Sequence, residues 1–171
     1  MRRGKDVLFC HIQRGCAALP EVASQTGLWR RFRRLSRDDQ RVAVTALTLL
    51  PVVVGARRIL PWSSLSRLIA RPSPHSAVDI RHASQIAVLV DSVIRRAPLP
   101  INCLDRSLLL LLTLRGAGLA GELRIGVRRT GSRLEAHAWV EHASRVLNDS
   151  AEVQSIYAPL EGPPIRAACW T

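Results

Sequence analysis

The chain predicts an α+β fold with helices first and a small antiparallel sheet after them. Three observations carry this. Apolar residues recur at helical spacing up to Gly118, the period falls to two from Glu122 onward, and turn signals at Gly131 and Ala143-Ser144 divide the later part into short runs. With 171 residues the chain suits one domain and can bury a core. Hydrophobic residues make up 47% and aromatic residues only 4%, so that core must be built from Leu, Val, Ile and Ala.

Residues 1–27 lack periodicity and contain Gly4, Gly15, Pro20 and Gly27, which predicts an irregular or disordered extension. The domain then occupies residues 28–171, with a helical part over 28–118, a sheet part over 121–150 and a tail over 151–171. Ser36, followed by Asp38 and Asp39, is an N-cap with acidic residues in the first turn. Val42, Leu47, Leu49, Leu50, Val53 and Val54 give that helix a broad apolar surface, and Pro51 is expected to kink or break it. Pro61 opens a short helix over 62–69, closed by Pro72 and Pro74. Residues 76–96 read as a further helix, with Ile80, Ala83, Ala87, Val88, Asp91 and Ile94 on recurring turns.

Pro98 and Pro100 end that helix and direct the chain into the next. Asn102 is a good N-cap, Asp105 stands in capping-box relation to it, and Cys103 takes the first helical position. Leu108 to Leu112 is apolar on all sides, so this helix should be buried, and Gly116 and Gly118 stop it. Strands are expected over 122–129, 134–142 and 145–149. In the second, Glu135, His137, Trp139 and Glu141 share one face, while Ala136, Ala138 and Val140 share the other; Glu141 reads as exposed, His142 ends the strand, and neither is given a role. The tail holds Pro159, Pro163 and Pro164 and is expected to wrap the surface.

A net charge of +12 invites thoughts of a polyanion, but all 25 basic residues except Lys5 are arginine, a skew that a GC-rich genome would produce. No stacking aromatics or recognition motif accompany them, so no nucleic-acid partner is expected. Cys10, Cys16, Cys103 and Cys169 form no Cys-x-x-Cys pair and no metal-ligand spacing with histidine, so no metal is expected. They read as reduced thiols of a cytoplasmic protein. The longest apolar run, 42–56, is interrupted by Pro51 and falls short of the roughly 20 residues a bilayer demands, so no stable membrane insertion is expected.

Cys103, His137 and Asp149 are the candidate chemistry. Backbone N–H groups at a helix start favour a thiolate, an imidazole can take the thiol proton, and a carboxylate behind it fixes tautomer and orientation. The Cys103 backbone N–H could also supply one oxyanion-hole donor. Each residue equally fits a bland role: a structural cysteine, a satisfied core histidine, an aspartate in a turn. Trp139, on the His137 face, fits either a wall of the site or plain packing. Arg106, one turn after Cys103, fits a carboxylate-binding cation or an ion-paired surface residue.

The words around these residues are more specific. Cys-Leu-Asp-Arg-Ser-Leu at 103–108, Leu-Arg-Ile-Gly-Val-Arg-Arg at 123–129, Glu-Ala-His-Ala-Trp-Val-Glu at 135–141 and Val-Leu-Asn-Asp at 146–149 resemble one family. It is the transglutaminase-like leader peptidase of lasso-peptide biosynthesis, the B-type protein in its peptidase form. The resemblance extends upstream through Leu-Leu-Pro-Val-Val-Val at 49–54 and Arg-Ile-Leu-Pro-Trp at 58–62. It implies a papain-like, transglutaminase-type cysteine hydrolase fold, with the nucleophile on Cys103, the base on His137 and the orienting acid on Asp149. It also implies removal of the leader from a ribosomally made precursor peptide, before a separate ATP-dependent cyclase closes the ring, with no metal or organic cofactor. The family's small leader-recognition domain does not fit in residues 1–30, which implies a separate leader-recognition protein as partner. Two rival functions share the sequence features: acyl transfer on a side-chain amide, as in a transglutaminase or amidase, and a non-catalytic basic scaffold.

Overall fold

The computed structural model describes residues 30, 32–69, 78–160 and 165–166. The expectations for residues 1–27, for Pro72 and Pro74, and for Pro163 and Pro164 lie outside them, as do Cys10, Cys16 and Cys169. Helix α1 (Arg37–Ile59) starts as read: the Ser36 hydroxyl accepts the Asp39 backbone N–H at 3.1 Å. Of the two outcomes expected at Pro51, the break does not occur: α1 runs continuously through it. Both Pro51 and Leu47 are exposed, so the carbonyl that loses its partner faces water. The resulting helix is long and apolar enough, by length and composition, to cross a membrane, which removes the argument from run length made above. Its inner side, with Ala46 and Leu50 buried, packs against the other helices.

Pro61 leads into α2 (Trp62–Ile69) as expected. Helix α3 (Ile80–Ile94) begins later than the periodicity suggested. Asp79 caps it, accepting the His82 N–H at 3.0 Å, and Val78 before it is not helical. Its buried positions are Ala83, Ile86, Ala87, Val90 and Val93; Val88, read as part of the apolar stripe, is 66% exposed.

Helix α4 (Cys103–Gly116) is the centre of the molecule. Leu108, Leu109, Leu110, Leu111 and Leu114 are all buried, as an all-apolar run requires, since each buried leucine is worth roughly 1.5–3 kcal/mol. Gly118 ends the helix region at φ 75°, a left-handed conformation natural to glycine.

The sheet is antiparallel and joins β1 (Glu122–Thr130), β2 (Arg133–His142) and β3 (Arg145–Val146) as neighbours. The turn between β2 and β3 holds Ala143 at φ 48° and Ser144 at φ 64°. Left-handed residues with a Cβ are costly, by about 1–2 kcal/mol each, so the sheet pairing around this turn must hold it there. Strand β3 stops at Val146, short of the expected 149. The tail does more than wrap the surface. After the short helix α5 (Val153–Ile156), β4 (Ala158–Pro159) and β5 (Ile165–Arg166) both pair with β1. Leu123, Ala138 and Val140 turn one face of the sheet into the helical core, leaving the other face for His137 and Trp139.

Candidate active site

Helix α4 begins on Cys103, held by a reciprocal cap. The Asn102 side chain accepts the Asp105 N–H at 2.9 Å, and the Asp105 carboxylate accepts the Asn102 N–H at 3.2 Å. Asp105 is fully buried and ion-paired to Arg57 of α1, so the long first helix also fixes this turn. Cys103 is half-buried against the hydrophobic core.

His137 and Asp149 meet. The imidazole Nε2 lies 2.5 Å from Asp149 Oδ2, with both side chains partly exposed. An ionised carboxylate only accepts, so Nε2 is the donor; in a neutral imidazole Nδ1 would then hold the lone pair that a general base needs. Asp149 comes from the loop after β3 rather than from the strand itself; its second oxygen accepts the Ser150 N–H at 2.7 Å. Helix α4, which starts on Cys103, is tied to β2 next to His137. Ser107, four residues on and therefore on the same helix face, donates its hydroxyl to the Ala138 carbonyl at 2.9 Å. Ala138 follows His137 directly.

Aromatic rings enclose the imidazole. Tyr157 stacks on His137 with centroids 5.0 Å apart, and Trp139 lies beyond at 6.4 Å. Trp139 is buried and donates its indole N–H to Glu141 at 2.7 Å, so packing and a flanking position by His137 are both met. Arg128 sits 4.9 Å above the Tyr157 ring. Its hydrogen bond to Glu135, at 2.8 Å, pushes the guanidinium above its ordinary range.

Sequence reasoning missed Tyr157, because nothing in the tail signalled strands that would return to β1. It also read Glu141 as exposed and without a role. Glu141 is instead buried, accepting Trp139, Gln154 at 2.9 Å and Arg124 at 3.3 Å. His142, likewise given no role, is buried and bonds the Ala120 carbonyl through Nδ1. Arg106 is ion-paired at 2.6 Å to Asp91 of α3. Both line a groove of about 620 Å³ that runs between α3 and α4 to Asp149, with Arg95, Arg96 and Leu147 also on its walls.

Gly126 stands opposite His137 in the β1–β2 register. A Cβ there would fall 2.8 Å from the Tyr157 Cβ and 3.0 Å from the Trp139 ring. Gly126→Ala is therefore expected to push Tyr157 off the imidazole and destabilise the fold by about 1–3 kcal/mol, measured by thermal unfolding. Loss of the ring contact would show as a shift of the His137 proton resonances.

Among the described residues no cluster of His, Cys, Asp and Glu could hold a metal ion. Comparison with curated proteins and with solved structures returns no significant match. The family model for the transglutaminase-like superfamily matches residues 46–161, a span that holds most of α1, all of α4, the sheet through β4, and Cys103, His137, Asp149 and Tyr157. By that match over more than half its length, the chain belongs to the transglutaminase-like superfamily.

Proposed function

We propose that this protein is a cysteine peptidase that removes the leader from a ribosomally synthesised lasso-peptide precursor. Members of the superfamily are usually cysteine-dependent enzymes, which supports hydrolase or acyl-transfer chemistry in general. The observation that supports this reading is the His137–Asp149 hydrogen bond of 2.5 Å on a strand tied, through Ser107, to the helix that starts on Cys103. The words of sequence around these three residues supply the substrate class.

In this mechanism His137 Nδ1 takes the Cys103 proton, and the thiolate attacks the carbonyl at the leader–core junction. The Cys103 backbone N–H stabilises the oxyanion. The C–N bond breaks as imidazolium returns the proton to the leaving amine, which becomes the free N-terminus of the core peptide. Water, deprotonated by His137, then hydrolyses the thioester and releases the leader as a carboxylate. Asp149 keeps the ring aligned through both steps. No step calls on a metal or an organic cofactor. Trp139, close to His137, would wall the site, and Arg106, ion-paired to Asp91 in the groove, would meet a peptide carboxylate there. A separate leader-recognition protein presents the substrate, in the cytoplasm, and the ATP-dependent cyclase consumes the freed amine.

The test is mass spectrometry of leader-bearing precursor peptides incubated with this chain, with and without a leader-binding partner. Two fragments summing to the precursor plus one water are expected. Ammonia release from an uncut chain would replace this reading with acyl transfer on a side-chain amide.

A further inference from the structure

Next to Cys103, His137 and Asp149 runs a hydrogen-bond relay through Val140, Asn148, Ser107 and Ala138. The Val140 N–H donates to Asn148 Oδ1 at 2.8 Å. Asn148 Nδ2 donates to Ser107 Oγ at 3.0 Å. The Ser107 hydroxyl donates to the Ala138 carbonyl at 2.9 Å. The direction of each hydrogen bond in this relay is fixed. Val140 N–H can only donate, which fixes Oδ1 toward β2, and a carbonyl can only accept, which commits the serine proton to Ala138. Nδ2 is then the one donor left for Ser107. The serine is fully buried, so no water substitutes for its partners.

Three of its members each adjoin one catalytic candidate. Ser107 is one helical turn past Cys103, Ala138 follows His137, and Asn148 precedes Asp149. The relay also explains why β3 is so short. Leu147 N–H still reaches the Val140 carbonyl at 3.0 Å, but at the next position the Asn148 side chain, not the backbone, takes up Val140 N–H. The main chain is thereby released from the sheet, and Asp149 turns toward His137.

We propose that Ser107 and Asn148 are positioning residues that lock the nucleophile helix, the histidine strand and the aspartate loop into one register. This rests on the peptidase reading above and deepens it. Asn148→Asp is the sharpest probe, because it is nearly isosteric yet replaces the Nδ2 donor with an acceptor. Ser107 must then turn its proton to the new carboxylate and abandon Ala138. Ser107→Ala removes the joint altogether.

The experiment has two readouts on the full chain. One is the rate of Cys103 alkylation by iodoacetamide at pH 6, followed on the Cys103 peptide by mass spectrometry, where an unassisted thiol reacts slowly. The other is kcat and KM for cleavage of the precursor. Wild-type protein is expected to alkylate fast at Cys103. Asn148→Asp and Ser107→Ala should slow alkylation by about tenfold and lower kcat by 10–100-fold with KM held within twofold, the loss expected when geometry rather than binding is disturbed. The double variant should be little worse than either single one, since one relay is broken once. Fast alkylation and full kcat in both folded variants would overturn the proposal while leaving the peptidase reading intact. Slow Cys103 alkylation already in the wild type, with no cleavage, would instead overturn the peptidase reading and this proposal with it. Unfolding midpoints are measured alongside; should Ser107→Ala fail to fold, Asn148→Asp alone decides.

Discussion

Cys103→Ala and His137→Ala are each expected to lower kcat for leader cleavage on the order of 10⁶-fold, whereas Asp149→Ala should cost about 10⁴-fold and leave measurable turnover. The difference follows from the roles. Without the thiol there is nothing to form the thioester, and without the imidazole the proposed general base is gone. Without Asp149 the ring can still accept a proton, but it samples wrong tautomers and rotamers, and Tyr157 stacked at 5.0 Å restrains it only in part. The measurement is cleavage rate by mass spectrometry on proteins shown to keep their unfolding midpoints. Full maturation activity in Cys103→Ala would sink the enzymatic reading in favour of a basic scaffold.

The second large effect concerns stability. Asp105 is fully buried, and Arg57, more exposed at 27%, is its partner in charge. Removing one member of such a pair leaves a charge in the interior, at a cost of about 3–5 kcal/mol. Arg57→Met strands the buried carboxylate and is expected to lower the unfolding midpoint by about 10 °C for a domain of this size. Asp105→Asn should cost only about 1–2 kcal/mol, because the amide oxygen can still accept the Asn102 N–H and Arg57 can turn toward water. Thermal unfolding of the two variants side by side checks the order. Equal losses, or a larger loss for Asp105→Asn, would mean that the cap rather than the ion pair dominates at this turn.

Local rules made much of this molecule legible. Ser36, Asn102 and Asp105 announced helix starts because a cap is a contact between near neighbours in sequence. The leucine run announced a buried helix because its chemistry is the same on every side, and the two strand faces of β2 followed from alternation. The reading went wrong where a distant partner overrides a local signal. Pro51 looked like a break because nothing nearby said that its side of the helix would face water. Glu141 looked exposed because its three partners come from β1, from its own strand and from α5. The tail looked irregular because two-residue strands have no period to detect; only the pairing with β1 makes them strands. Of the candidate site, His137 and Asp149 stood out through the words around them and do meet, while the contacts of Tyr157, Ser107 and Asn148 are ones that no spacing along the chain foretells.

The pairing of β4 and β5 with β1 has a consequence beyond the site. An unpaired strand edge invites association with another chain, and β1 would offer such an edge if the tail were absent. Instead β1 has β2 on one side and the tail on the other, at Glu122, Leu123, Gly126 and Val127. The segment that carries Tyr157 to the imidazole thus also serves as a guard against aggregation. Proteolytic loss of the chain after Ile156 would remove the ring from His137 and uncover the β1 edge in one cut, so a nicked protein would gain an open strand edge as its site loses shape.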